Sequence, residues 1–194
     1  MVDCGNAHVF IRAKDVGIAG TETAAEIDAN TDLTDLLERI RSQAAHRMGM
    51  VDDPANATRE TPATPILGMI APAQDYWNVL GNRWVRAEEC DFVTRLMFMQ
   101  QMHKTYAGTS TVCTGVASKL PGTIVYEMAR QECQARLATF FGHPGGVIET
   151  EAKVELDGNI WRAARATVAR TARRIMEGYV FVPSWAEHLE IAAE

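Results

Sequence analysis

The stretch HKTYAGTSTVCTGVASKLPGT, residues 103–123, decides the fold. From Gly108 to Ser118 it carries no charge, and hydroxyl residues crowd its first turn. A helix on a protein surface presents a charged face to water. This one has none, and its side chains are small. The pattern predicts a helix at about residues 109–120 that is surrounded by other chain.

Upstream, RAEECDFVTRLMFMQQM (86–102) places Phe92, Val93, Leu96, Met97 and Met99 at helical spacing and predicts an amphipathic helix. Its methionines are read as packing rather than as a cofactor box. PILGMIAP (65–72) predicts a short apolar strand, QDYWNVLGNRW (74–84) a turn region, and the polar, proline-bearing residues 51–64 a loop. NTDLTDLLERIRSQAAHRMGM (30–50) is an amphipathic helix through Leu33, Leu36, Leu37, Ile40, Ala44 and Met48, with Asn30 or Thr31 as N-cap. VDCGNAHVFIRAKDVG (2–17) opens as a strand with a turn or bulge at Gly5–Asn6.

Downstream, TIVYEMA (123–129) and RLATFFG (136–142) predict strands, followed by a turn at HPGG (143–146). VIETEAKVEL (147–156) alternates, with Ile148, Thr150, Ala152, Val154 and Leu156 on one face and Glu149, Glu151, Lys153 and Glu155 on the other. Asp157–Gly158 marks a hairpin. IWRAARATVARTARRIM (160–176) fits a helix by periodicity and a strand by its flanks, and its own residues leave both open.

Across 194 residues, 47% are hydrophobic and 23% charged, a globular composition. A net charge of -6 gives no basic footprint for nucleic acid. No apolar run approaches the roughly 20 residues of a membrane span. Cys4, Cys90, Cys113 and Cys133 form no CxxC pair. With no secretory signal at the start, they are expected to be reduced thiols in a cytoplasm, Cys133 in a polar stretch that suits exposure.

Four pieces in fixed order, VDCGNAHVFIRAKDVGIAGTE (2–22), AGTSTVCTGVASKLPGT (107–123), GHPGGVIE (142–149) and VARTARRIMEGYVFVP (168–183), resemble the second half of the 2-methylaconitate cis-trans isomerase (PrpF) family, relatives of diaminopimelate epimerase. The resemblance runs from Val2 to about Pro183. It implies an α+β fold of two similar halves, each wrapping mostly antiparallel strands around one central helix, and it makes residues 160–176 a strand. Residues 1–194 would then form a single epimerase-like domain matching one half.

The resemblance also implies chemistry. Such enzymes use no cofactor and no metal. They move a proton beside a carboxylate, here as an allylic shift that relocates a double bond in an unsaturated polycarboxylate. A base removes a carbon-bound proton, an acid returns one elsewhere, and the anion between needs preorganised donors. The N-termini of the two central helices face one another and suit substrate carboxylates.

Asn6 matches a family position that contacts substrate, although an Asn after Gly also simply shapes a turn. Gly108, Thr109 and Ser110 stand at the helix start, where Thr109 and Ser110 suit carboxylate binding, capping or both. Arg170 and Arg173 suit bidentate carboxylate contacts. Arg162, Arg165 and Arg174 crowd the same stretch, and pairing with Glu149, Glu151 or Glu155 is favoured for any one of these arginines. Arg170 is kept as a substrate-binding candidate. His103 is read as structural or solvated, and Cys113 as a core thiol.

Three departures bear on activity. In epimerase relatives a catalytic cysteine begins this helix, and the matching position here is about Gly108. The family's proline and serine are replaced by Ala7 and Gly145. The acid/base lysine and cysteine implied by the isomerase family belong to its first half, outside this chain. Catalytic residues are therefore expected elsewhere. The leading expectation is a substrate-binding half completed by a separately encoded first half or by the rest of a longer chain. A homodimer of halves and a non-catalytic remnant serving binding or assembly are the alternatives.

Overall fold

The computed structural model describes residues 1–169 and 172–183. Strand β1 (Val2–Asp3) turns at Gly5, in the left-handed region at φ 74°, into β2 (Ala7–Arg12). Helices α1 (Ala24–Asp28), α2 (Thr31–Arg47) and the short α3 (Ala57–Glu60) follow. The Asn30 side chain caps α2 by accepting from Leu33 N at 3.1 Å. Next come β3 (Ile66–Pro72), a hairpin of β4 (Tyr76–Asn78) and β5 (Arg83–Val85), then β6 (Phe92–Phe98) and β7 (Gln101–Met102). Helix α4 (Gly108–Lys119) leads through α5 (Ile124–Met128) and α6 (Gln131–Ala135) to β8 (Ala138–His143). A long hairpin of β9 (Gly146–Asp157) and β10 (Ile160–Val168) follows.

The large sheet runs β1-β2-β3-β6-β8-β9-β10, with β7 on β6. Its pairs are antiparallel except β2–β3 and β6–β8. Helix α4 touches β1 and β2 near one end of this order and β9 and β10 at the other. Only a sheet that curls around the helix can do both. The α+β architecture and the surrounded central helix match the sequence reading.

The alternation of β3 and β6 sorts the core into two layers. Leu67, Met69, Ala71, Val93 and Met97 pack with Ile27, Leu33 and Leu37 beneath α1 and α2. Ile66, Ile70, Phe92 and Leu96 pack with Cys113, Ala117, Val125 and Phe141 around α4. Neighbouring residues along a strand face opposite sides, so each strand feeds both layers.

This double burial explains the largest correction. Residues 86–102 form no amphipathic helix: their core is β6, buried from Phe92 to Met97. A strand covered on both faces reads as a continuous apolar run, and helical spacing can always be picked out of one. TIVYEMA is helix rather than strand, because Thr123 caps α5 by accepting from Tyr126 N at 3.1 Å. The turn region 74–84 holds the β4–β5 hairpin, and the loop 51–64 holds α3. The segment open between helix and strand is β10 through Val168. Cys133 is buried outright, against the expectation of exposure.

Helix α4 is buried from Ser110 to Lys119 except at the partly covered Val112. A Cβ added at Gly115 would lie 2.7 Å from Thr150 Cγ2 on β9. Gly115→Val is expected to destabilise the fold by about 1–3 kcal/mol through this overlap. Thr150→Ser in the same background is expected to recover part of it by removing Cγ2. Urea unfolding of the two variants checks both. Val116→Asp, which buries an unpaired carboxylate, is expected to abolish the cooperative unfolding transition.

Candidate functional site

Helix α4 begins without a side-chain cap. Ala107 holds the N-cap position in an extended conformation and offers no acceptor. Thr109 and Ser110 therefore do not cap, and the first-turn amides of Gly108, Thr109 and Ser110 have no side-chain acceptor. The first backbone bond of the helix runs from Thr111 N to Ala107 O at 2.9 Å. Gly108 is half-buried and Thr109 exposed. Asn6, carried by the β1–β2 turn, sets Nδ2 3.5 Å from Thr109 Oγ1. Asn6, Gly108 and Thr109 thus meet at one edge of the sheet.

Ser110 is placed differently. It is fully buried, and its Oγ has no hydrogen-bond partner. His8, two residues beyond Asn6, is the other such case: Nδ1 lies 2.9 Å from Asn6 O, while the enclosed Nε2 is unpartnered. Burial lowers the His8 pKa, which keeps the ring neutral. The motif GNAH contained this histidine, but its second nitrogen is orphaned by packing that no short pattern encodes.

His143 in the HPGG turn is also neutral at ordinary pH. Burial, aided by the Arg95 charge, lowers its pKa to about 4. Its Nδ1 accepts from Gly145 N at 3.2 Å. A Cβ at Gly145 would lie 2.9 Å from His143 Cε1, so glycine there fits the ring as placed. His103 Nδ1 accepts from Thr105 N at 3.1 Å, within its own loop. Cys113 is fully buried, and burial pushes its thiol up to about 12. A thiol so placed is no proton acceptor.

Arg170 lies outside the described residues. Among its neighbours, Arg165 pairs with Glu151 at 2.6 Å across the β9–β10 ladder, as charge alternation suggests. Arg162 pairs instead with Asp157 at 2.8 Å, and Arg173 is exposed. Among the described residues, no three His, Cys, Asp or Glu side chains gather as a metal site, and no helix is long and apolar enough to cross a membrane. The arrangement offers neutral donors and a helix dipole to an anion.

A sheet curled about one uncharged helix, with that helix's first turn uncapped, defines the half-fold of the diaminopimelate epimerase-like class. The family model described as PrpF protein matches residues 1–183. The chain belongs to the PrpF family. It is 42% identical over 182 residues to a 3-methylitaconate isomerase of Eubacterium barkeri, covering 94% of this chain and 47% of that protein. It is 33% identical over 185 residues to a 2-methyl-aconitate isomerase of Shewanella oneidensis, covering 94% and 45% respectively. Among solved structures, methylitaconate-delta-isomerase superposes with a TM-score of 0.81 at 39% identity, over 98% of this chain and 48% of that one. The chain therefore spans about half the length of these relatives.

The buried histidine sets a pH dependence. Unfolded His143 titrates near 6.5 and folded His143 near 4. Below pH 6.5 the unfolded chain takes up a proton that the folded chain refuses, so stability falls as pH drops through this window. The loss is about 3 kcal/mol for this group. His8, shifted in the same direction, adds to it. His143→Asn keeps an acceptor near Nδ1 and removes the titration. Urea midpoints at pH 7 and pH 4.5 are expected to differ less in this variant than in wild type.

Proposed function

We propose that this chain is the substrate-binding half of a cofactor-independent isomerase of small unsaturated polycarboxylates, with residues 1–194 acting as one epimerase-like domain. The observation that carries this reading is the uncapped first turn of α4 beside Asn6 and Thr109. The names of its relatives supply the substrate class.

A substrate carboxylate would sit against the amides of Gly108 to Ser110, where the helix dipole favours negative charge. Asn6 Nδ2 and the Thr109 hydroxyl add donors at the rim. Ser110 contributes its amide, since its hydroxyl is enclosed. Arg170 enters through its sequence position alone, as a second carboxylate partner. Removal of a proton from the carbon next to an activated double bond leaves an allylic anion, which the bound carboxylate and these donors stabilise. Reprotonation at the far carbon moves the double bond. The proton carriers come from the complementary half, because the first turn of α4 holds no acid or base and Cys113 is sealed behind it.

Bare apolar surface supports a partner. Ile175 and Met176 are 81% exposed, and Tyr179 and Phe181 are nearly fully so. They lie in a stretch, 172–183, whose described residues are all exposed, and a partner surface would cover their apolar side chains.

The test is complementation. The purified chain alone is expected to give no turnover of 2-methylaconitate, followed by ultraviolet absorbance of the conjugated acid. Addition of the separately produced first half of the Eubacterium barkeri relative is expected to restore it. Turnover by the chain alone, abolished by His103→Ala or Cys113→Ala, would place the chemistry elsewhere. Thr109→Val is expected to weaken 2-methylaconitate binding about tenfold, the loss of one charge-assisted hydrogen bond, without moving the urea midpoint.

A further inference from the structure

We infer that the cavity beside Arg95, between α1, the β4–β5 hairpin and the His143–Gly146 turn, is a binding site for a short-chain organic carboxylate. The cavity holds about 180 Å³. An apolar void of roughly 150 Å³ already accommodates benzene. Trp77, Leu80 and Pro144 supply apolar wall, Thr23 a polar edge, and Arg95 and Lys104 positive charge.

Arg95 makes this a site rather than a gap. It rises from β6 into the layer beneath α1 and α2 and is only 1% exposed. Nε donates to Glu22 O at 2.5 Å and Nη1 to Thr94 O at 2.9 Å. The guanidinium lies over the Tyr76 ring, 5.2 Å from its centroid. These contacts fix its position, but every acceptor is neutral. None of the ion pairs among the described residues includes Arg95. The two nearest acidic side chains, Glu22 at the cavity wall and Glu26, act on it through space but make no direct ion pair with it. The Glu22 carboxylate accepts from Ala19 N at 2.7 Å and Gly20 N at 2.8 Å, and Glu26 accepts from Thr23 N at 2.7 Å.

A buried cation with no carboxylate in contact is only partly compensated, and an anion on its free donors would complete the pairing. Burial lowers the Arg95 pKa only to about 10, so the group is charged at neutral pH. Its Nη2 makes no hydrogen bond to the described residues, and one Nη1 hydrogen is also free. Donor capacity thus remains on both terminal nitrogens, as a bidentate carboxylate requires. Lys104 at the rim draws the anion in, and the apolar wall receives its hydrocarbon. Inorganic phosphate gains nothing from Trp77 or Leu80 and must shed more water. The site shares no lining residue with the first turn of α4, so it stands independently of the function proposed above.

The test is NMR titration of the full chain with isovalerate, isovaleramide and inorganic phosphate. Isovalerate is expected to shift the Trp77 indole and the Thr23 and Lys104 amides. The neutral amide and phosphate are expected to bind at least about tenfold more weakly. Lys104 and Leu80 are exposed, so Lys104→Glu and Leu80→Glu keep the fold. Each is expected to weaken isovalerate binding about tenfold by opposing its charge. Thr109→Val is expected to leave it unchanged. Shifts confined to Asn6 and residues 108–110, equal binding of isovaleramide or phosphate, or indifference to both Glu variants would overturn the assignment.

Discussion

The distance between α4 and β9 at Gly115 governs the rest of the molecule. Thr150 stands so close that no side chain fits opposite it, and its own hydroxyl is tied to Thr167 O on β10 at 2.5 Å. A sheet can curl this tightly only about a narrow helix. Hydroxyls further along α4 then serve as fastenings. Ser118 Oγ reaches Thr139 Oγ1 on β8 at 3.0 Å, and Thr114 Oγ1 meets the Tyr106 hydroxyl at 2.8 Å. The first charge of the helix, Lys119, sits at its carbonyl end. There its ammonium donates to Arg136 O at 2.8 Å and Ala138 O at 3.2 Å, as well as to Cys133 O. A cation at that end also complements the helix dipole.

Because strands enclose the helix from its second turn onward, the only part left to meet a ligand is its beginning. The same enclosure keeps the nearby titratable groups out of proton chemistry. His8 and His143 are held neutral and the Cys113 thiol is pushed up, all by burial. Binding and proton transfer are thereby separable, which suits a fold whose relatives are about twice as long. Under the function proposed above, one half would hold the carboxylate while another brings the acid and base.

What the sequence made legible follows from how each element is buried. Helix α4 was readable because an uncharged stretch of small residues has few other uses. β9 was readable because only one of its faces is covered, which leaves strict alternation. β6 was not, because covering both faces erases the period, and Arg95, its one charged residue, is equally at home in an amphipathic helix. At the site, the resemblance and the helix start singled out Asn6, Gly108 and Thr109 separately, and the structure brings Asn6 beside Thr109. Whether Ser110 faces inward or outward depends on the rotation of α4 against the sheet. That angle is set where Gly115 meets Thr150, a residue of β9 far along the chain from Ser110.

The composition of α4 also sets how the chain assembles. Threonine, serine, valine and glycine are weak helix formers, and a 12-residue helix of them is not stable alone. It must wait for its enclosure. That enclosure includes β1, whose Val2 carbonyl lies 3.7 Å from Cys113 Sγ across 111 positions of sequence. Such distant partners close slowly, and the helix orders only as they arrive. The central amides of α4 therefore exchange with solvent only when the whole domain opens. A helix that could not stand alone is expected to be among the best protected parts of the described fold.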